Sequence, residues 1–172
     1  MMKNFDWKGT ALLVAACAAS AAIDYWGIIH FQRVREPDHL PGLTFGLLVL
    51  PLFIPRRSFL PATLCSVLAY WLAFCFMDFL DKIELLHKYH IPWHLFGGTG
   101  AGLMALFLGL AKIAKPDASG YLLMIIVGAV MMTGFLAPLH LKEPLGLQIF
   151  LWQLAVALVM KRKLFPALGE KT

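Results

Sequence analysis

Residues 59–80 read FLPATLCSVLAYWLAFCFMDFL, an apolar run of 22 residues in which Asp78 is the only charged side chain. An α-helix needs about 20 mostly apolar residues to cross the hydrocarbon core of a bilayer. The run therefore predicts a transmembrane helix, and its composition is repeated along the rest of the chain.

Five further apolar segments follow the same pattern. Of the 172 residues, 60% are hydrophobic and 15% are charged, and the mean hydropathy is +0.74, whereas soluble domains average about 25% charged residues. The other segments cover residues 11–31, 40–55, 94–111, 120–139 and 145–160. Together they predict an all-α integral membrane protein, a bundle of about six transmembrane helices that forms one polytopic domain over residues 1–172.

Two segments leave alternatives open. Pro41 and Pro55 bracket residues 40–55 and Pro51 lies inside, so a kinked span and a re-entrant loop are both compatible with the pattern. In the first segment, residues 19–21 resemble a signal-peptidase site. The apolar run continues past them to Phe31, so we expect it to be retained as a span.

Lysine and arginine are distributed unevenly between the two sides of the predicted bundle. With six spans, ten of them lie on the side of the N-terminus and five on the other side. The ten are Lys3, Lys8, Arg56, Arg57, Lys112, Lys115, Lys161, Arg162, Lys163 and Lys171. Because this excess marks the cytoplasmic side, both termini are predicted to be cytoplasmic, in a bacterial inner (plasma) membrane. The net charge of +5 comes from these short clusters, so we predict the lipid bilayer as a partner and no nucleic acid.

All six histidines fall in or beside the loops on the opposite, outer side. They are His30, His39, His87, His90, His94 and His140. The densest group is HKYHIPWH, residues 87–94, in which Pro92 favours the first position of a helix. The fourth span is therefore predicted to begin near Pro92, with His90 and His94 close together at the membrane surface.

Two carboxylates lie in apolar runs near the same surface. Asp24 precedes His30 by six residues, about 9 Å along a helix at ~1.5 Å per residue, and a charge at that depth indicates a functional site by default. A protonated or hydrogen-bonded structural Asp that faces another helix is the alternative. Asp78 lies near the end of its run, where Lys82 at i+4 makes a helix-surface ion pair the alternative.

These residue types suit a zinc ion, which takes three or four N, O or S ligands. The predicted metal ligands are His90, His94, His30 and His140, with zinc as the candidate cofactor. Asp24 and Asp78 are the candidate catalytic residues, one of which completes the metal shell or acts as general base. The alternative is an interfacial aromatic belt of His, Trp and Tyr.

The string His90-Ile91-Pro92-Trp93-His94 resembles the histidine pair of the alkaline ceramidase and adiponectin-receptor group, zinc-dependent hydrolases of lipid amides in a helical bundle. The resemblance is confined to this short stretch. In that group the pair belongs to the last helix, whereas two predicted spans follow here. The resemblance implies a metal-dependent hydrolase that acts on a lipid or another amphiphile.

Small residues four apart support a different class of function. Ala11, Ala15 and Ala19 resemble the alanine stripe of the substrate-binding subunits of energy-coupling-factor vitamin transporters, which implies a small-solute-binding or transport subunit that docks a membrane-protein partner. A structural subunit of a larger membrane complex, or of a homo-oligomer, is the third hypothesis. Gly98 and Gly102 have the same spacing and predict close packing between helices.

Overall fold

The computed structural model describes residues 7–31, 40–83, 91–131 and 144–165. Within these ranges the chain is helical and contains no β-strand, which confirms the predicted all-α class. The α-helices are α1 (Trp7–Phe31), α2 (Leu40–Thr44), α3 (Phe59–Asp81), α4 (Ile91–Leu110), α5 (Ala118–Met131) and α6 (Pro144–Val159). Helix α4 begins one residue before Pro92, as the helix-start preference of proline predicts.

The six helices form a closed ring. Each helix packs against the next one in sequence, and α6 packs against α1. The inward faces of helices that are far apart in sequence therefore meet in the middle of the ring.

Helix α2 continues as an irregular helix across the bundle. A π-helical turn over Phe45–Val49 and a 3₁₀ turn over Leu50–Leu52 follow it. Proline has no N–H to donate and its ring clashes with the preceding helical turn, which accounts for the change of helix type at Pro51. Thr44 bonds to Asp24 of α1, and Phe53 lies beside Gly9 of α1. Residues 40–53 thus run antiparallel to α1 as a distorted helix.

Helices α4 and α5 approach each other through glycine. A Cβ atom added to Gly128 of α5 would lie 2.8 Å from the Cβ of Ala101, and one added to Gly102 of α4 would lie 2.8 Å from Cγ1 of Ile125. A Cβ atom on Gly98 would lie 3.0 Å from the carbonyl oxygen of Ile125. The packing surface predicted from Gly98 and Gly102 is confirmed, because side chains would keep the two backbones apart.

Six polar side chains are buried within a mainly apolar core, and large apolar side chains are exposed on the outside of the ring. The buried polar side chains are Ser20, Asp24, Thr44, Thr63, Ser66 and Gln153. Every helix exposes large apolar side chains, and Leu12, Leu43, Leu68, Leu106, Ile126 and Leu158, one from each of α1 to α6, are all at least 40% exposed. Within the described ranges, Trp7–Gly27 and Arg56–Leu80 are long and apolar enough to cross a membrane, by length and composition.

Basic residues gather at one end of the ring, which we call the basic end. Lys161 and Gly9 line one cavity, and Lys163 donates a hydrogen bond to Ser119 at the start of α5. The described Lys and Arg residues at this end are Lys8, Arg56, Arg57, Lys112, Lys115, Lys161, Arg162 and Lys163. They are the described members of the group of ten that sequence places on one side.

Candidate functional site

Asp24 is fully buried on the inward face of α1. Leu13, Cys17, Ser20 and Asp24 follow each other at intervals of three or four residues, which brings them onto one side of a helix. All four are buried. Ser20 therefore lies one turn before Asp24 on the same face, and the carboxylate points toward the centre of the ring.

Two side chains from other helices donate hydrogen bonds to this carboxylate. The Thr44 hydroxyl donates to Oδ1 of Asp24 at 2.5 Å, and the Gln153 amide nitrogen donates to Oδ2 at 2.7 Å. Short bonds of this kind are typical of an ionised acceptor. The three residues connect α1, α2 and α6, and we refer to them as the Asp24 site.

The Thr44 hydroxyl has a choice of acceptors. Its oxygen also lies 3.1 Å from the carbonyl oxygen of Leu40 and 3.2 Å from that of Pro41, the bonds that a threonine inside a helix commonly makes. A hydroxyl has one proton to donate, and the shortest contact is the one to Asp24. The negative charge therefore turns a helix-internal threonine into a link between two helices.

Several buried polar atoms around this site have no hydrogen-bond partner in the described part of the chain. They are the hydroxyls of Ser20, Ser66 and Tyr70, the indole nitrogen of Trp152 and the amide oxygen of Gln153. An unsatisfied buried polar group costs about 1–3 kcal/mol, and each one in a folded protein needs an explanation such as water or a ligand. Water or a polar ligand bound between these atoms and the Asp24 carboxylate would satisfy them.

Aromatic rings form one wall of the same region. Tyr70 and Trp152 meet edge to face with ring centroids 5.3 Å apart, and Phe45 lies 6.5 Å from Trp152 on another side. Asp24 is close enough to the Tyr70 hydroxyl for the two to interact electrostatically. Since Trp152 also precedes Gln153 in α6, the aromatic wall and the carboxylate belong to one region of the interior.

Asp78, the other candidate catalytic residue, lies elsewhere. Its carboxylate pairs with the Lys82 ammonium at 3.1 Å, and the two side chains are 69% and 73% exposed. The i to i+4 ion pair considered from the sequence is therefore confirmed. The structure does not bring Asp78 into the Asp24 site.

The predicted metal ligands have no described side chains. His90 and His140 lie outside the described residues, while His30 and His94 belong to α1 and α4 with only their helical backbone described. Among the side chains that are described, no three from His, Cys, Asp and Glu are grouped to hold a metal ion. Zinc binding by the four histidines stays a prediction.

Sequence reasoning identified Asp24 but missed its partners. Thr44 lies in the irregular second segment, and Gln153 is 129 residues away from Asp24, so no local spacing connects them. The sequence does contain two signals of a polar interior. Ser20 stands at i−4 from Asp24, and Ser66 stands at i−4 from Tyr70, so each pair marks a polar strip on an otherwise apolar helix. In comparisons with known protein families, with curated proteins and with solved structures, nothing matches this chain.

Proposed function

We propose that this chain is a six-helix membrane protein whose interior binds a small solute carrying a protonated amine, as a solute-binding or transport subunit. The Asp24 carboxylate anchors the amine. The basic end faces the cytoplasm of a bacterial inner membrane in this proposal, following the charge rule for membrane proteins.

The distribution of apolar surface supports the membrane location. Large exposed apolar side chains occur on all six helices, whereas a monomeric soluble protein rarely exposes large contiguous apolar patches. Among the described residues, Trp7–Gly27 of α1 and Arg56–Leu80, most of which belongs to α3, are long and apolar enough to cross a bilayer. The shorter helices pack against their neighbours in the ring. Their outward faces expose large apolar side chains as well.

The observation that carries the solute proposal is that no described Lys, Arg or His side chain neutralises the buried Asp24 carboxylate. The carboxylate is buried, accepts only two hydrogen bonds, and has no Lys, Arg or His partner among the described residues. A buried charge is costly unless it is paired. A cation bound beside Asp24 neutralises the buried carboxylate and removes this energetic cost, which favours cation binding at this site.

The remaining polar atoms and rings favour an amine among cations. A protonated amine has up to three N–H donors, and the Gln153 amide oxygen and the Asp24 carboxylate are acceptors that can receive them. Rings of Tyr and Trp attract cations over their faces, and Tyr70 packs against Trp152, which precedes the Asp24 partner Gln153 in α6. The Trp152 N–H is a donor that needs an acceptor, which a solute oxygen or water provides.

The test is thermal unfolding of the detergent-purified protein in the presence of methylammonium, with choline and sodium as comparison cations. A ligand present at 100 times its Kd stabilises the folded state by about 2.7 kcal/mol, which raises Tm by about 5–10 °C for a chain of this size. We expect methylammonium to raise Tm and to raise it more than sodium does.

Two carboxylate variants make the test specific. Asp24→Asn keeps the shape of the side chain and removes its charge, so the methylammonium effect should disappear. Asp78→Asn removes an equal charge from an exposed ion pair and should leave the effect unchanged. The proposal is wrong if no cation stabilises the wild type, or if both variants respond to methylammonium as the wild type does.

A further inference from the structure

A cavity lies at the basic end, away from the Asp24 site. Its volume is about 150 Å³, and its walls include Leu12, Phe53, Phe165 and Lys161. Phe53 and Phe165 stack with ring centroids 6.3 Å apart and an interplanar angle of 8°. The cavity thus has apolar walls and one cationic side chain at its edge.

The cavity opens to the outer surface of the bundle. Leu12, one of its wall residues, is 57% exposed, and Trp7, five residues earlier on α1, is 75% exposed. A cavity of this size in another protein holds a benzene-sized apolar group. It therefore accommodates a short length of hydrocarbon, whose remainder can continue along the exposed apolar face of α1.

Lys161 is the cationic side chain that lines the cavity, and further Lys and Arg residues lie at the same end of the bundle. Among the described residues of the basic end, eight are Lys or Arg and Asp117 is the acidic one. Basic pockets between membrane helices on the cytoplasmic side bind acidic lipid headgroups, because cationic side chains and phosphate attract each other at the interface.

We propose that this cavity binds an anionic phospholipid of the surrounding membrane, with its phosphate on Lys161 and an acyl chain between Leu12 and the Phe53–Phe165 pair. The inference rests on the membrane location proposed above but not on the amine site. A free phosphate lacks the hydrocarbon that the apolar walls require, and a neutral lipid lacks the net charge that Lys161 attracts.

The test is native mass spectrometry of the protein in neutral detergent, titrated with phosphatidylglycerol or with phosphatidylcholine of the same acyl chains. We expect the wild type to retain one phosphatidylglycerol at concentrations where phosphatidylcholine does not bind. Inorganic phosphate at millimolar concentration should not displace the lipid. This selectivity is measured on the wild type and requires no variant to fold.

Three variants then locate the lipid. A basic residue near an anionic surface contributes about 1 kcal/mol, so Lys161→Ala should weaken phosphatidylglycerol binding about fivefold. Lys161→Arg keeps the charge and should bind like the wild type. Arg162→Ala is the matched control, because it removes the same charge from the next residue, which is exposed and does not line the cavity. Its affinity should change less than twofold.

The outcomes separate this proposal from the previous one. Equal retention of the two lipids, displacement by phosphate, or equal losses in Lys161→Ala and Arg162→Ala would overturn the lipid site. Retention of neither lipid would also overturn the lipid site. Asp24→Asn should keep the full lipid selectivity, so failure of the amine site does not alter this result.

Discussion

The bond between Thr44 and Asp24 can be tested by removing only the hydroxyl. Thr44→Val replaces the donor with a methyl group of similar size, so the charged carboxylate loses one of its two hydrogen bonds. A hydrogen bond to a charged group contributes about 1.5–3 kcal/mol. For a chain of this length, about 2 kcal/mol lowers Tm by about 4–8 °C.

The chain provides a matched control in Thr63. Thr44 and Thr63 are 6% and 4% exposed, so the same methyl group is buried in both variants. The Thr63 hydroxyl lies 3.2 Å from the carbonyl oxygen of Gly46 and 3.0 Å from that of Phe59, and both acceptors are neutral. Thr63→Val should therefore cost about 1 kcal/mol, or about 2–4 °C in Tm.

The assay is thermal unfolding followed by tryptophan fluorescence, since the chain contains five Trp residues. Repeating Thr44→Val in an Asp24→Asn background completes a double-mutant cycle, in which we expect a coupling energy of about 1 kcal/mol between the two sites. The reasoning is refuted if Thr44→Val costs the same with and without the charge at Asp24, or no more than Thr63→Val.

Three further predictions concern the packing, the basic end and the membrane. Gly128→Ala should destabilise the protein by about 1–3 kcal/mol through overpacking, because the new Cβ would lie 2.8 Å from that of Ala101. Gly100→Ala places its Cβ an ordinary 3.6 Å from Ala73 and should leave Tm unchanged or higher. Equal Tm values for the two variants would contradict this packing. Hydrogen bonds from the Gly120 N–H and the Ser119 hydroxyl hold the pKa of the Asp117 carboxyl below its usual range. A carboxyl whose pKa is lower in the folded state stabilises the fold at pH values above its unfolded-state pKa. This contribution is lost as the pH falls through the folded-state pKa. The Tm advantage of wild type over Asp117→Ala should therefore shrink on acidification, and a constant difference would argue against it. Cys75 is free and exposed in the last third of α3, within the apolar run. A water-soluble maleimide should label it slowly in intact membranes and rapidly after solubilisation in SDS, because thiol attack requires the aqueous thiolate. Equally fast labelling in both states would contradict a lipid-facing position.

Local sequence signals predicted the elements well, because helices depend on short-range pattern. Pro92 marked the start of α4, and Gly98 and Gly102 marked a surface on which α4 packs closely. The i to i+4 spacing of Asp78 and Lys82 identified their ion pair. Each of these features is decided within one or two turns of a helix.

Such local signals did not predict which residues form the Asp24 site. Burial depth identified Asp24, but which residues reach it depends on how α2 and α6 are rotated about their axes. The π-helical and 3₁₀ turns after Thr44 change the direction of every later side chain in that segment, and three prolines in residues 40–55 do not specify this change. Gln153 lies in α6, and nothing in the local pattern of that helix shows that it faces Asp24.

The most direct test of the Asp24 site as an amine site is infrared difference spectroscopy of the protein with and without methylammonium. The account predicts a change in a carboxylate band that is retained in Asp78→Asn and absent in Asp24→Asn, because only the buried carboxylate changes its partners. The same band in Asp24→Asn, or no carboxylate change in the wild type, would contradict it.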